Sequence, residues 1–495
     1  MIRRVLIAIS LAGGLLLPTL APAADGESTR KLVATLNADD SIRGDESSLA
    51  YKLLFDAYLK VSDPPMPVGS RFNSSTIWPG MSGWSDVSKW AGANPAMAEA
   101  IIKAADRAVI GLPYGCGNVP DSYSQAGLCV DIDVDKGFRA VDFNYLSSLK
   151  TIAAYTTAEI YRRFESGDID GAITLMTSEL TVLRMFCDRQ FMEEKRETIL
   201  LLTQSLSNAR DCFWTYMDKI SADQFLDIAK RELPYLRPDR ARLLIPEADR
   251  HVTEAVLVEV FDNETGEPII DRFAEVFTRI QASQEPLTRL GAATRWREIA
   301  MQHGGLEACQ ERLQLIYDDW WRRWRLREYG DILTMPSEFD KTNAMRYAGV
   351  LISMQNIQEL FAIRNNLRVA VYGTAISAAL CAFKRETGNY PPEVNSKADR
   401  LYGTYLPRKL DQDPYHYKEE LNGLDGFRYR LLTRRHALFV AGDRIWLESG
   451  EALLYSLGEN QENDLGEEHV SKGEEGDIII WPPIRALLRQ DGKLQ

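Results

Sequence analysis

The sequence predicts a helical domain followed by an α+β domain, and two observations carry this prediction. Apolar residues recur every three or four positions over most of residues 139–345, which is the spacing of helices with one buried face. Beyond residue 387 the period changes to two, since Phe427, Tyr429 and Leu431 alternate with arginines as on a strand. We therefore predict helical hairpins or a bundle, then a long helix packed on a small antiparallel sheet.

The first 24 residues predict a secretory signal peptide. Arg3 and Arg4 precede a short apolar stretch over residues 5–17, and Ala21-Pro22-Ala23 supplies small residues for cleavage. The apolar stretch is too short to span a bilayer, and no later segment reaches about 18 consecutive apolar residues. We therefore expect an exported protein, periplasmic or extracellular, with no transmembrane span after cleavage.

Residues 25–345 form the predicted helical domain, which contains a loop rich in Trp, Gly and Pro near residues 62–90. Residues 142–164 have the spacing of one helix, and Asp168 is placed to cap the next helix, over about residues 169–185. Successive helices of this kind pack their apolar faces together as hairpins. Further helices are predicted over residues 193–220, 222–232, 248–261, 270–281 and 306–329.

Residues 346–483 form the predicted α+β domain, and residues 484–495 a tail. The long helix of this domain is expected to span roughly residues 340–387. Two of its strands, over residues 437–441 and 444–447, are expected to pair as a hairpin around a Gly-Asp turn.

Export implies an oxidising compartment, so the six cysteines require a pairing argument. Cys116 and Cys129 flank a loop rich in Gly, Pro, Asn and Ser that can bend back on itself, and we predict a disulfide between them. In the chain-entropy model a bridge over so short a loop stabilises by about 3 kcal/mol. The remaining cysteines are expected to be unpaired, in helical sequence or as buried thiols: Cys187, Cys212, Cys309 and Cys381.

Two groups of tryptophans are candidate contact residues. Trp320 and Trp324 share one helical face, and we expect this face in the core, with an exposed protein-contact patch as the alternative. Trp78, Trp84 and Trp90 lie in or beside the loop near residues 62–90, where such side chains usually fill a small core under the loop. Exposed tryptophans there would instead stack on sugars or anchor a partner.

The last third of the chain carries a series of motifs in a characteristic order. Phe383-Lys384-x-x-Thr387-Gly388-x-Tyr390-Pro391-Pro392 is followed by Asp413-Pro414-Tyr415, by Tyr455-Ser456-Leu457-Gly458, by an acidic loop and by Asp477-Ile478. In this order the motifs resemble the soluble domain of the type II secretion major pseudopilin, over about residues 365–483. The resemblance implies a helix that leads to a small sheet closed by a calcium-binding loop.

The helical part resembles another group of proteins. Over about residues 80–250 it is similar to uncharacterised exported bacterial proteins in which helical hairpins precede the same pseudopilin-like tail. The leader of this chain is of the ordinary secretory kind, whereas pseudopilins have a special processed leader and a long apolar helix behind it. We therefore do not expect fibre formation by the usual route.

The acidic loop over residues 459–477 is the candidate metal site. It holds eight acidic residues and one lysine, and calcium binds six to eight oxygen ligands. The resemblance makes Asp477 the best candidate ligand and places Asn460 where the family often has an acid, with Asp464 and Glu475 as further candidates. The loop is longer than in the family and lacks its Asp-Gly pair. A solvated acidic loop without a fixed metal therefore stays open as the alternative.

Composition and motifs reduce the number of functional classes that fit the sequence. With 71 acidic against 58 basic residues the net charge is −13, which disfavours nucleic acid as a partner. The chain has no Walker A sequence and no His-Glu-x-x-His helix, and its five histidines are not paired at metal-ligand spacing. We therefore expect a non-catalytic exported scaffold or interaction protein with a protein partner.

Two alternatives stay open. The first is a periplasmic hydrolase that acts on glycans through two carboxylates held about 5 to 10 Å apart near the tryptophans. The second is an accessory factor of a type II secretion-like machine that contacts pseudopilins through the C-terminal part.

Overall fold

The structure is a computed structural model, and the predicted leader, residues 1–24, lies outside the residues it describes except for the last two. Helices predominate up to residue 394, and the longer strands follow residue 426. The described residues are 23–39, 42–44, 48–132, 141–236, 243–284, 291–326, 331–394, 404–406, 413–415, 426–440, 443–466 and 476–494.

The first half of the chain is helical apart from one short ladder, β1 (Asp131–Ile132) with β2 (Val141–Asp142). A 3₁₀ turn lies over Cys116–Asn118, and a π-helical turn over Ile228–Glu232 separates α9 from α10. The helices are α1 (Ala23–Leu36), α2 (Tyr51–Tyr58), α3 (Trp84–Gly92), α4 (Pro95–Ala105), α5 (Asp121–Gln125), α6 (Tyr145–Ser166), α7 (Ile169–Phe186), α8 (Met192–Thr215), α9 (Ala222–Asp227) and α10 (Leu233–Tyr235).

The second half adds shorter helices and then the sheets. The helices are α11 (Ala248–Val260), α12 (Ile270–Gln284), α13 (Ala292–Ala300), α14 (Leu306–Trp324), α15 (Asp331–Thr334), α16 (Ala348–Ser353), α17 (Glu359–Thr387) and α18 (Ile484–Gln490). The strands are β3 (Arg428–Leu431), β4 (His436–Val440), β5 (Asp443–Leu447), β6 (Ala452–Ser456) and β7 (Ile478–Trp481).

The hairpin of α6 and α7 forms where the sequence predicts it. Gly167 ends α6 with φ +86°, a left-handed conformation that glycine adopts without steric cost. Asp168 then caps α7, because its Oδ1 accepts a hydrogen bond from the backbone N–H of Gly171 at 3.1 Å. Both helices pack on α8, so three successive helices share one apolar core.

The long helix α17 connects the helical part to the sheet. It packs against α8 and α9 and also against β6 and β7. At Gly373 a Cβ atom would lie only 2.7 Å from Cγ2 of Ile480 in β7, so glycine lets the helix approach the sheet closely. The helix begins at Glu359 rather than near residue 340, because α16 and a break precede it. Among the described helices, α17 is long and apolar enough to span a membrane, and 78% of its apolar window is buried inside the protein.

Two small antiparallel sheets cover the C-terminal part. One has the strand order β3-β6-β7, and the other is the hairpin of β4 and β5, with Phe439 opposite Arg444. The buried side chains of the hairpin share an apolar cluster with Leu453 and Tyr455 of β6 and Ile479 of β7. This confirms a helical part followed by an α+β part, while the likeness to pseudopilins stays a prediction.

The predicted disulfide between Cys116 and Cys129 is present, with the two Cα atoms 5.2 Å apart. The four other cysteines are free and buried, which confirms the buried thiols predicted for Cys309 and Cys381 and the prediction that Cys187 and Cys212 do not pair. Trp320 and Trp324 are also buried, which confirms the core-facing stripe of α14, and Trp90 is buried beside α6. Trp78 and Trp84 are half-buried and pack against the core.

Candidate functional site

The candidate site lies where the loop after β6 folds back on the start of β7. Gly458 opens this loop with φ +70°, and a Cβ atom there would lie 2.3 Å from the carbonyl oxygen of Gly476. A glycine is therefore required for the two chain segments to approach so closely. Gln461 and Leu465 also adopt positive φ, of 56° and 60°, which turns the described part of the loop tightly on itself.

Asp477 lies under this loop and is only 1% exposed. Its Oδ2 accepts a hydrogen bond from the backbone N–H of Gly466 at 2.7 Å. Its Oδ1 is buried and has no hydrogen-bond partner among the residues that the structure describes. Burial is the main cause that raises the pKa of Asp477 to about 7; the hydrogen bond from the Gly466 amide opposes this shift, and the nearby carboxylate of Asp464 adds to it. An orphaned carboxylate oxygen of this kind suits a cation, which would supply the missing partner.

Asp413 is a second buried carboxylate beside the loop, 1% exposed. Its Oδ1 accepts hydrogen bonds from the Ser456 hydroxyl at 2.7 Å and the Tyr415 amide at 3.1 Å. Its Oδ2 accepts from the Leu457 amide at 3.0 Å. Asp413 thus fixes the end of β6 and the start of the loop. Sequence reasoning used it only as part of a motif and missed this role, although the Asp413-Pro414-Tyr415 motif was the available signal.

The other predicted ligands lie in different positions. The side-chain amide of Asn460 donates to Asp464 Oδ2 at 2.9 Å, and its oxygen accepts from the Glu462 amide at 3.1 Å. Asn460 therefore braces the loop, and the structure brings Asp464 close to Asp477. Glu475 lies outside the described residues. Within the described ranges, no group of three or more His, Cys, Asp or Glu residues is placed to hold a metal ion.

A cysteine–histidine pair in the helical part has a structural role. Cys309 Sγ lies 3.7 Å from His303 Nδ1. His303 Nε2 accepts the N–H of Gly349 at 2.9 Å, so Nδ1 carries the proton and donates to the Gly304 carbonyl at 2.8 Å. Burial lowers the pKa of His303 and raises that of Cys309 to about 12. The imidazole therefore cannot take the thiol proton, and the pair lacks the geometry of an activated nucleophile.

Glu194 is the centre of a buried charge network in the helical part. It is fully buried, and its oxygens accept from the Tyr114 and Tyr145 hydroxyls at 2.8 Å each and from Arg189 Nε at 2.9 Å. The guanidinium of Arg189 also lies 4.0 Å from the centre of the Tyr114 ring. These bonds join the start of α8 to α6 and to the segment before the disulfide loop.

Asp211 of α8 is the centre of a second network. It is 1% exposed, and its Oδ2 contacts Arg485 at 2.8 Å and Arg489 at 3.1 Å, both from α18. Arg489 also donates to the Ser75 carbonyl at 2.9 Å. This network attaches the last helix to α8 and to the tryptophan-containing loop.

Two open surface pockets are lined by residues that do not belong to the Glu194 or Asp211 networks. The first, of about 310 Å³, is lined in part by Asp39, Glu247, His251 and Trp321, and the Trp321 indole N–H donates to Glu247 at 2.9 Å. The second, of about 530 Å³, lies between α7 and α9, and all of its charged lining residues are acidic. Its charged lining residues are Asp170, Asp223, Asp227 and Glu232.

Comparison of the chain with models of known protein families, with curated proteins and with solved structures finds no match.

Proposed function

We propose that this protein is an exported, non-catalytic interaction scaffold whose C-terminal α+β part is stabilised by calcium. One observation carries the proposal: the buried charged groups join structural elements. The Glu194 network joins α8 to α6, and the Asp211 network joins α8 to α18. Neither of the two pockets described above is lined by these networks. Buried charges that cross-link helices favour one rigid arrangement, which suits a scaffold.

The calcium part of the proposal is supported by Asp477. Its Oδ1 is buried beside the described part of the loop and has no hydrogen-bond partner among the described residues. In the sequence, residues 459–477 carry eight acidic residues, of which Asp477 is one. Calcium accepts carboxylate and carbonyl oxygens in flexible geometry, so Asp477 and Asp464 would hold it together with backbone oxygens of the loop. Bound calcium would offset the repulsion among these carboxylates and fix the loop over the sheet.

Calorimetry on the chelator-treated protein tests the calcium site. We expect heat on addition of calcium and a rise in the unfolding midpoint, with a stability gain of about 2.7 kcal/mol at a hundredfold excess over Kd. Asp477→Asn should abolish both effects. Asp443→Asn, at an exposed position of β5, should retain both. The absence of heat and of any midpoint change in the unmodified chain would reject the calcium site.

Capture experiments test the scaffold itself. Full-length protein immobilised on beads should retain a defined partner from envelope extracts of its source cells, at fixed stoichiometry after cross-linking. Recovery of secretion-machine components would favour the accessory-factor form of the proposal. Recovery of no partner at any calcium concentration would contradict the scaffold, whatever the calorimetry gives.

A second candidate function, glycan hydrolysis, is favoured by the 310 Å³ pocket. It brings Trp321 together with the carboxylates of Glu247 and Asp39, and aromatic faces beside carboxylates suit sugar chemistry. A panel of chromogenic glycosides tests this candidate. Turnover that Glu247→Gln removes and Glu264→Gln, an exposed control, retains would establish hydrolysis. The absence of turnover across the panel would leave the scaffold as the function.

A further inference from the structure

The hairpin of β4 and β5 has one buried and one exposed face. Leu438 and Val440 of β4 point into the apolar cluster together with Ile445 of β5. On the opposite face, Phe439 is 44% exposed and Trp446 is 42% exposed. Two large aromatic side chains therefore stand in solvent on neighbouring strands, where aromatic residues usually mark a contact surface.

Arginines lie against these two rings. The guanidinium of Arg444 is 4.8 Å from the centre of the Phe439 ring and 5.5 Å from that of Trp446. That of Arg435 is 4.4 Å from Trp446 and also pairs with Glu448 at 3.0 Å. Arg444 has no carboxylate partner in the part of the chain that the structure describes. The contacts with the two rings fix the guanidinium of Arg444 on the protein surface, where its N–H groups can bind an anionic group of a partner.

The outer edge of β4 is open in the described residues, where β4 pairs with β5 alone. Lys493 Nζ donates to the carbonyl oxygen of Arg444, so the backbone groups of Arg444 point away from β4. Hydrogen-bonded and non-hydrogen-bonded pairs alternate along an antiparallel ladder, and the outward carbonyl of Arg444 indicates that Arg444 and the opposite Phe439 are a non-hydrogen-bonded pair. The backbone groups of Phe439, and of Ala437 two residues earlier, therefore point outward from the sheet. Such an edge is a template for an added strand.

We propose that this hairpin binds an extended acidic segment of a partner protein, which adds as a strand along the β4 edge. A carboxylate of the segment would pair with Arg444, and its apolar side chains would pack on Phe439 and Trp446. This deepens the proposed scaffold function and rests on it. Charge complementarity decides the class of partner: the arginines attract single carboxylates, whereas a chain of net charge −13 repels long polyanions such as nucleic acid.

Fluorescence anisotropy on the full chain tests the charge part of the proposal. The probe is a labelled peptide of about nine residues that alternates glutamate with valine, long enough to cover a strand. Matched peptides carry serine or lysine in place of glutamate. We expect the glutamate peptide to bind at least about tenfold more tightly than the serine peptide, and the lysine peptide not to bind. Arg444→Glu should remove this preference, and Arg295→Glu, an exposed arginine of α13, should keep it.

Ala437→Pro tests the strand-addition part. Proline removes one outward N–H and is tolerated on an edge strand, so circular dichroism should be unchanged while peptide affinity falls about tenfold. Equal effects of Arg444→Glu and Arg295→Glu would overturn the proposal. Tighter binding of single-stranded DNA or anionic vesicles than of the glutamate peptide would also overturn it, as would self-association that Trp446→Ala abolishes. If the peptide tests fail while envelope capture succeeds, the scaffold stands and its contact surface lies elsewhere.

Discussion

Glu179 of α7 gives the sharpest test of the energetics of this fold. The residue is only 5% exposed, between α7 and α8. Among the described residues, its charge is supported by the Ser205 hydroxyl, which donates to Oε1 at 3.2 Å. Burial raises the pKa of Glu179 to about 8, and the hydrogen bond from Ser205 lowers it only in part. The folded protein therefore holds this carboxyl protonated at neutral pH.

The size of the effect follows from linkage. The unfolded chain releases this proton near pH 4.5 and the folded chain near pH 8, so the folded form binds more protons between these values. The contribution is fully present below pH 4.5 and is lost as pH rises through 8. At about 1.4 kcal/mol per pH unit, the loss is about 5 kcal/mol in total, of which about 3 kcal/mol has occurred by pH 7.

Glu179→Gln replaces the carboxyl by a neutral amide of nearly the same shape. We expect wild type and variant to have similar free energies of unfolding at pH 4.5, measured in urea, and the variant to be more stable by about 3 kcal/mol at pH 7. Glu99→Gln, at an exposed position of α4, is the control and should show no such slope. A difference between wild type and Glu179→Gln that stays constant from pH 4.5 to 8 would refute the argument from burial.

Three further predictions follow from contacts described above. Gly373→Ala should lower the free energy of unfolding by about 1–3 kcal/mol, because the new Cβ would clash with Ile480, although helix propensity alone favours alanine. Urea titration measures this change, and a variant more stable than wild type would contradict the close approach of α17 to β7. Burial keeps His303 neutral with a pKa below 6.5, so the stability that this neutral side chain contributes is present above that pH and is lost as the pH falls. His303→Gln should lose this pH dependence of stability, which is measured as urea midpoints between pH 7 and 4. Cys116→Ser should lower the free energy of unfolding by about 3 kcal/mol relative to the oxidised wild type. Under reducing conditions Cys129 is unpaired in both proteins, so an equally large difference there would contradict the loop-closure argument.

Local signals in the sequence predicted the local structure well. The cap of Asp168, the pairing of Cys116 with Cys129 and the hairpin after residue 436 each depend on residues close together in the chain. For the same reason the change from helical to alternating period located the sheets. Short-range geometry restricts these choices, so a single sequence is enough to predict them.

The metal ligands proposed from the sequence stay a prediction. The structure shows that Asp477 is buried and that its Oδ1 has no hydrogen-bond partner among the described residues. Asp413 was missed because its partners, Ser456 and Leu457, lie more than forty residues further along the chain. The start of α17 was placed too early, since the apolar pattern continues through α16 and the break before Glu359 has no proline to mark it.

The burial of Arg489 in this acidic chain has a physical explanation. A guanidinium keeps its charge when buried, so a buried arginine requires acceptors, and for Arg489 the described structure supplies them from distant segments. Arg489 of α18 bonds to Asp211 of α8 and to the Ser75 carbonyl, 278 and 414 residues away in sequence. Because such partners lie so far apart, no local pattern could assign the residues after 483 a place in the core. The same contacts make α18 part of the rigid framework that presents the β4–β5 hairpin to solvent.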